Sequence, residues 1–343
     1  MRILVGMSGG LDSTYAARLL VDGGHEVVGA VLRMHEYTEC DAAEKSCLEL
    51  GIPLVTVDCT EEFDRAVKEN FVTEYSRGRT PNPCVICNER VKFKCLYDYA
   101  CLNGFDKIAT GHYAGVKQID KNKTAVSVAS DPTKDQSYML YRLPKAILDM
   151  LLLPLSNLTK EEIRKKALEI GLTSSERAES QEICFLPDGG HAEYIESRLG
   201  KFPEGEFVDE SGRVLGTHKG IIRYTVGQRK GLGISLGERA FVIDINVETN
   251  RITLSPSLSG KREIVISDVV YSGIAENERL EGLTLSVKTR YTKDTVTAEA
   301  VRLSDGTVRL IFNKEVKAAP GQSAVAYLDD YVAFGGIINT ENR

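Results

Sequence analysis

One stretch near the N-terminus limits what the rest of the chain can be. The apolar run Ile3-Leu4-Val5 leads into Gly6-Met7-Ser8-Gly9-Gly10-Leu11-Asp12-Ser13, and a helix-compatible run, Tyr15-Ala16-Ala17-Arg18-Leu19-Leu20, follows at once. The order predicts a strand, a tight loop and a helix. Such a turn aims backbone N–H groups and the positive end of a helix at one point, and its glycines let an anion approach the backbone. A pyrophosphate suits that environment. Ser8 and Ser13 add hydroxyl donors, while Asp12 falls in the first helical turn, where it can cap the helix or help hold a metal that bridges phosphates. The loop is neither a Walker A motif nor a Gly-x-Gly-x-x-Gly dinucleotide turn. An ordinary strand-to-helix turn is the alternative, and the loop's place as the first βα turn favours a nucleotide.

The following residues alternate between strand and helix. Val27 to Leu32 is a continuous apolar run, as in a parallel strand buried on both faces. Residues 41–50 read as a helix closed by Gly51, Pro53 to Val57 as a third strand, and Lys107 to Thr110 as another. This pattern predicts an α/β fold with a doubly wound, mostly parallel sheet. Ligands of such sheets bind beyond the carboxyl ends of the strands, which puts Leu32 in place to cover an adenine and Gly111-His112-Tyr113 on the same face. Core packing for Leu32 and a structural hydrogen bond for His112 are the plainer alternatives. Lys134 to Tyr138 reads as a solvated turn. Thr159-Lys160-Glu161-Glu162 is a capping box opening a helix that Gly171 closes.

At 343 residues the chain exceeds one typical core, so two or three domains are expected. Composition shifts near residue 200 toward glycine-rich turns and β-type runs. From Glu263 onward six strand-like runs follow, with Ser304-Asp305-Gly306 as a hairpin turn, and a small antiparallel β-barrel is the simplest closure. The expected division is 1–198, 199–260 and 261–343. A net charge of −6 carries no basic signature, so any nucleic-acid contact must come from local patches such as Ile221 to Gly233. No apolar stretch is long enough to span a membrane, and the N-terminus runs directly into a strand, so a soluble, cytoplasmic protein is expected.

The 8 cysteines are scattered, unlike those of a small disulfide scaffold, and are read as reduced thiols. Cys84 and Cys87 form a Cys-x-x-Cys behind Pro81 and Pro83, which suggests a stiffened loop presenting both thiols. Half a zinc site, a redox dithiol, part of an iron–sulfur site and a chance pair are all consistent with it. The lack of a second Cys-x-x-Cys or a spaced histidine pair weakens the closed zinc site. Lys92 and Lys94 follow, and nearby positive charge is expected to lower a thiol pKa. Ser180-Gln181-Glu182-Ile183-Cys184-Phe185 supplies a distant third thiol.

The loop Ser8 to Ser13 resembles that of the ATP-pyrophosphatases. Together with Thr80 to Asn88, Gly111 to Tyr113, Lys134 to Tyr138, Ser180 to Phe185, Gly227 to Gly233 and Arg290-Tyr291, it resembles the bacterial tRNA-specific 2-thiouridylases, in order along nearly the whole chain. The resemblance implies an ATP-pyrophosphatase-type catalytic domain, a small central domain contacting tRNA and a C-terminal β-barrel. The implied reaction uses ATP with Mg2+ to adenylate O2 of a wobble uridine, after which sulfur from a donor protein or sulfide displaces AMP. It implies nucleotide contacts from Gly6 through Ser13, Leu32 and Gly111, and tRNA contacts from His112, Lys134, Asp135, Gln136, Arg290, Tyr291 and Gln322. Cys87 is the implied catalytic thiol and Cys184 its persulfide-bearing partner. The chain departs from the family pattern at Cys84, where an aspartate is usual. Cys84, Cys87 and Cys184 could then hold a [4Fe–4S] cluster with one iron open, a second route that stays beside the persulfide. An amide or C–N ligase of the pyrophosphatase type is the alternative function, and it needs no thiols.

Overall fold

Three sheets organise the chain, and the loop sits at the middle of the first. The computed structural model describes residues 1–38, 40–176, 183–186, 190–234 and 239–339. Its first strands are β1 (Arg2–Gly6), β2 (Glu26–Arg33), β3 (Leu54–Asp58), β4 (Lys107–Ala109), β5 (Gly115–Gln118), β6 (Thr124–Ser127) and β7 (Leu151–Leu152). Five of them form the expected parallel sheet in the order β3-β2-β1-β4-β7. The order reverses between β1 and β4, so the carboxyl end of β1 opens at the crevice where such sheets bind ligands. Helix α1 (Leu11–Asp22) uses both of its faces. Ala17 and Leu20 pack with Ile3, Val5, Val27 and Val31 of the sheet, while Leu11, Tyr15 and Ala16 pack with Tyr113, Leu155 and Ile163.

The thiol segment is not the loop that its prolines suggested. Pro83 starts a helix, Pro83–Cys87, and Asn82 caps it by accepting the Val85 N–H at 3.4 Å. Helical backbone continues through Asn88–Lys92 and Phe93–Leu102. Proline fits a first helical position because the N–H it lacks has no helical partner there.

The second sheet joins β8 (Gly205–Val208), β9 (Val214–His218), β10 (Phe241–Asn246) and β11 (Arg251–Ser255) in the order β10-β11-β8-β9. Six further strands follow: β12 (Lys261–Tyr271), β13 (Leu285–Lys288), β14 (Val296–Arg302), β15 (Val308–Val316), β16 (Ser323–Leu328) and β17 (Tyr331–Ile338). They run β12-β15-β14-β13-β16-β17, and a β12–β17 pairing closes the expected antiparallel barrel. Alternate residues Val308, Leu310 and Phe312 point into its core, while Arg309 stays out. The hairpin β5–β6, which precedes the barrel by more than a hundred residues, also joins this sheet, with Ser127 opposite Tyr331. No helix among the described residues is long and apolar enough to cross a membrane.

Candidate active site

The loop after β1 is closed by its own hydroxyls. The Ser8 N–H donates to Ser13 Oγ at 3.2 Å, and Ser13 Oγ and Thr14 Oγ1 each donate to the Gly10 carbonyl at 3.0 Å. Ser8 is exposed and Ser13 buried, and the two hydroxyls pair at 3.1 Å across the turn. Gly9 has φ +73°, and a Cβ there would lie 2.4 Å from the Ala42 side chain on helix α2 (Cys40–Leu50). A Cβ on Gly111 would come within 2.6 Å of the Asp12 backbone. Gly111 therefore forms a wall against the loop's backbone. Met7, Leu11 and Leu32 are buried, Leu32 within the main core at the end of β2, and Gly6 is partly buried beneath the turn.

Asp12 is held by two side chains. Lys160 Nζ reaches its carboxylate oxygens at 2.7 and 2.9 Å, and Tyr113 donates its hydroxyl to Oδ1 at 2.7 Å. Lys160 begins the Lys160–Glu169 helix, which has the expected capping box, and its N–H donates to Asp131 Oδ2 at 3.1 Å. Sequence reasoning recognised the cap and missed the lysine, because nothing in the spacing links positions 12 and 160. Gln136 secures Tyr113 from both sides, its Oε1 accepting the Tyr113 N–H at 2.8 Å and its own N–H donating to the Tyr113 carbonyl at 2.7 Å. Lys134 lies half-buried beside it, its N–H on the Asp131 carbonyl at 3.2 Å. Asp135 is buried against the barrel: Oδ2 accepts from Lys288 Nζ and Ser137 Oγ, both at 2.8 Å, and Oδ1 from the Ala129 N–H at 3.1 Å.

The three thiols share one electrostatic neighbourhood. Cys84 and Cys184 are exposed and Cys87 is buried, with its sulfur 3.8 Å from Met34 Sδ. Burial, with smaller contributions from Cys184 and Cys84, pushes the Cys87 thiol up to about 12. Cys84 and Cys184 are raised too, chiefly by desolvation. The expectation of lysine-activated thiols is thus corrected. Lys92 pulls all three downward, but desolvation outweighs it, and Lys94 is paired with Asp98. Ser180 to Glu182 lie outside the described residues. Among the described residues, no three His, Cys, Asp or Glu side chains gather closely enough to hold a single metal ion.

His112 links the two halves of the site. Its Nδ1 pairs with Thr110 Oγ1 at 2.9 Å, its ring lies 5.3 Å from Phe93, and desolvation followed by the charge of Lys92 holds the imidazole well below its usual pKa. From the barrel, Arg290 is exposed, and the half-exposed Tyr291 stacks obliquely 6.2 Å from Tyr138. Desolvation raises the Tyr291 phenol, with Asp135 and Cys84 contributing. Gln322 instead donates to the Thr80 and Pro81 carbonyls at 3.0 and 3.2 Å. In the second sheet's neighbourhood, Arg229 and Lys230 are exposed, whereas Arg223 is paired with Glu193 and Glu196.

Family models described as tRNA methyl transferase HUP domain, tRNA methyl transferase PRC-barrel domain and Aminomethyltransferase beta-barrel domain match residues 1–188, 192–256 and 261–338. The tRNA-specific 2-thiouridylase MnmA 1 of Clostridium tetani is 41% identical over 356 aligned positions, covering 99% of this chain and 97% of the relative. The tRNA-specific 2-thiouridylase MnmA of Clostridium perfringens is 40% identical, with 99% and 98% covered. MnmA 2 of Clostridium botulinum is 39% identical, with 98% and 99% covered.

Proposed function

The chain belongs to the tRNA-specific 2-thiouridylase family, and from that membership we propose that it converts a wobble uridine of tRNA to 2-thiouridine in the cytoplasm at the expense of ATP. One observation supports this reading above the others: the loop after β1 and the thiol helix meet at Gly111-His112. Gly111 presses on the Asp12 backbone, and the His112 ring lies 5.3 Å from Phe93, on the helical backbone that carries Cys84 and Cys87. A ligase of the same fold has no use for the thiols. Methyl transfer, the wording of two family descriptions, has no use for a pyrophosphate loop beside them.

The chemistry follows from what a uridine carbonyl cannot do unaided. Its oxygen is a poor leaving group. When O2 attacks the α-phosphorus of ATP, the bond to the bridging oxygen breaks, pyrophosphate leaves toward Ser8 to Ser13, and the N3 proton is lost. Sulfur then attacks C2, the C2–O2 bond breaks, and AMP departs with the original oxygen. The loop's N–H groups and α1 stabilise the departing anion. Asp12 already has Lys160 on both carboxylate oxygens, so it does not fit a Mg2+ ligand, and Mg2+ is assigned to the phosphates alone. Arg290 and Tyr291 are assigned to the RNA, and neutral His112 to the base beside them.

For sulfur delivery we favour a [4Fe–4S] cluster on Cys84, Cys87 and Cys184. The donor set fits in kind. Thiols whose pKa is raised by burial gain most from a cationic partner, because metal binding deprotonates them, and cysteines on separate irons need not converge on one point. Such a cluster, when bound, would carry a sulfide on its open iron. Lys92 would offset the thiolates' charge, and solvent access at Cys84 and Cys184 would admit sulfide or a donor protein. Anaerobically purified protein should be brown, contain iron and inorganic sulfide, and lose colour and thiolation in Cys84→Ala. Full thiolation by iron-free protein with a persulfide as the sole sulfur source would replace this route by persulfide exchange between Cys87 and Cys184.

A further inference from the structure

The helix bearing Cys84 and Cys87 is held by the barrel at both ends. Ahead of it, Gln322 donates to the Thr80 and Pro81 carbonyls at 3.0 and 3.2 Å, and the Thr80 N–H donates to the Pro320 carbonyl at 2.8 Å. The turn between them fits closely: Gly321 has φ +89°, and a Cβ there would lie 2.9 Å from the Thr80 nitrogen. Behind it, Arg142 bridges Glu89, two residues past Cys87, to Asp268 of β12, at 2.8 and 3.0 Å. The Arg142 side chain is only 4% exposed. Asp268 lies at the irregularity of β12, with φ 49°, and its carbonyl also accepts from Arg142 at 3.1 Å. Between the two anchors, Asn88 Nδ2 donates to the Met139 carbonyl at 3.1 Å and the Tyr138 hydroxyl to the Ser323 carbonyl at 2.9 Å.

We propose that the barrel sets the position of the thiol helix, and that Gln322 and Arg142 are positioning residues for the sulfur-transfer half of the reaction. The inference rests on the assignment of Cys87 to sulfur transfer. The nucleotide loop is braced by other contacts, Lys160 on Asp12 and the fit of Gly9 and Gly111, and the barrel reaches that side through Lys288 on Asp135 rather than through Gln322 or Arg142. Loosening the barrel's hold therefore leaves adenylation intact and displaces only the thiols. A shift of about 1 Å in a reacting group can cost a factor on the order of 100. The adenylated uridine then loses AMP to water, which breaks the same C2–O2 bond and regenerates uridine, so ATP is consumed without thiolation. Strand β16, which begins beside Gln322, pairs with β13, and Arg290-Tyr291 follow β13 after Thr289, so one sheet carries both the residues assigned to RNA and the hold on the thiols.

The test measures 2-thiouridine formed per AMP released, and tRNA affinity, in Arg142→Met, in Arg142→Lys and in Asp268→Asn, which weaken the link from Glu89 to β12 to different degrees. All three should keep wild-type tRNA affinity and AMP formation while thiouridine per AMP falls, by about tenfold or more in Arg142→Met. An unchanged ratio in all three overturns the proposal. So does a parallel loss of tRNA affinity and AMP formation, which would make this link part of RNA binding or adenylation. Cys87→Ser, run alongside, separates the two claims. If it retains thiolation, the assignment of Cys87 falls and the inference with it. If it abolishes thiolation while the Arg142 ratio stays intact, only the positioning claim falls.

Discussion

Lys160 Nζ lies 2.7 Å and 2.9 Å from the two carboxylate oxygens of Asp12, tying the first turn of α1 to the start of a helix 148 residues away. The pair places a fixed cation at the nucleotide loop, and Tyr113 keeps the carboxylate turned toward it. Lys160→Met should lower tRNA-dependent AMP formation by roughly a hundredfold through misplacement of the loop, with Lys160→Arg intermediate and tRNA affinity unchanged. Wild-type AMP formation in Lys160→Met would remove the pair from the reaction.

On the RNA side, Arg290 is the exposed cation next to Tyr291. Arg290→Ala should weaken tRNA binding and reduce the slope of log affinity against log salt by about 1, as for the loss of one phosphate contact. Titrations at several salt concentrations decide this, and an unaltered slope assigns the contact to another residue.

The ion pair of Asp135 and Lys288 is almost closed to solvent, with side chains 4% and 5% exposed. Removing one partner from such a pair costs about 3–5 kcal/mol, because the other is left as an uncompensated buried charge. Lys288→Met should therefore destabilise the protein strongly, and adding Asp135→Asn should recover much of the loss. Chemical denaturation of the single and double variants measures both effects. Equal destabilisation by single and double variants would show that the charge pair is not what holds this seam.

His112 gives a pH dependence of definite sign. Desolvation and Lys92 depress its folded pKa from the ordinary value of 6.5, so the unfolded chain takes up the proton more readily. The stability linked to this group is present above about pH 6.5 and is lost as pH falls through the depressed folded value. Denaturation of wild type and His112→Gln across this interval should show the wild type losing more stability on acidification. Identical pH dependence in the two would contradict a buried, neutral imidazole.

Much of this arrangement could be read from local pattern. β1 and β2 were visible as apolar runs because strands buried on both faces need no alternation, β3, a partly exposed edge strand, was visible by its β-branched run, and the barrel strands were visible because half-buried strands do alternate. The loop was legible through its glycines, and the Thr159 cap through its box. What escaped were relations between distant segments: Lys160 on Asp12, the β5–β6 hairpin on β17, and Gln322 on Thr80. The thiol helix escaped for a local reason, since two prolines imitate a loop although one of them occupies a helix start. Charge reasoning failed at Cys87 because sequence shows that Lys92 is near and cannot show how little water is.

The most direct measurement is nucleoside mass spectrometry of tRNA incubated anaerobically with the protein, ATP and a sulfur source. The expected product is 2-thiouridine at the wobble position, formed with release of AMP and pyrophosphate, and absent with Cys87→Ser. Unmodified wobble uridine despite AMP release by wild-type protein, or undiminished 2-thiouridine from Cys87→Ser, would contradict a reaction in which the loop activates the base and the thiols deliver the sulfur.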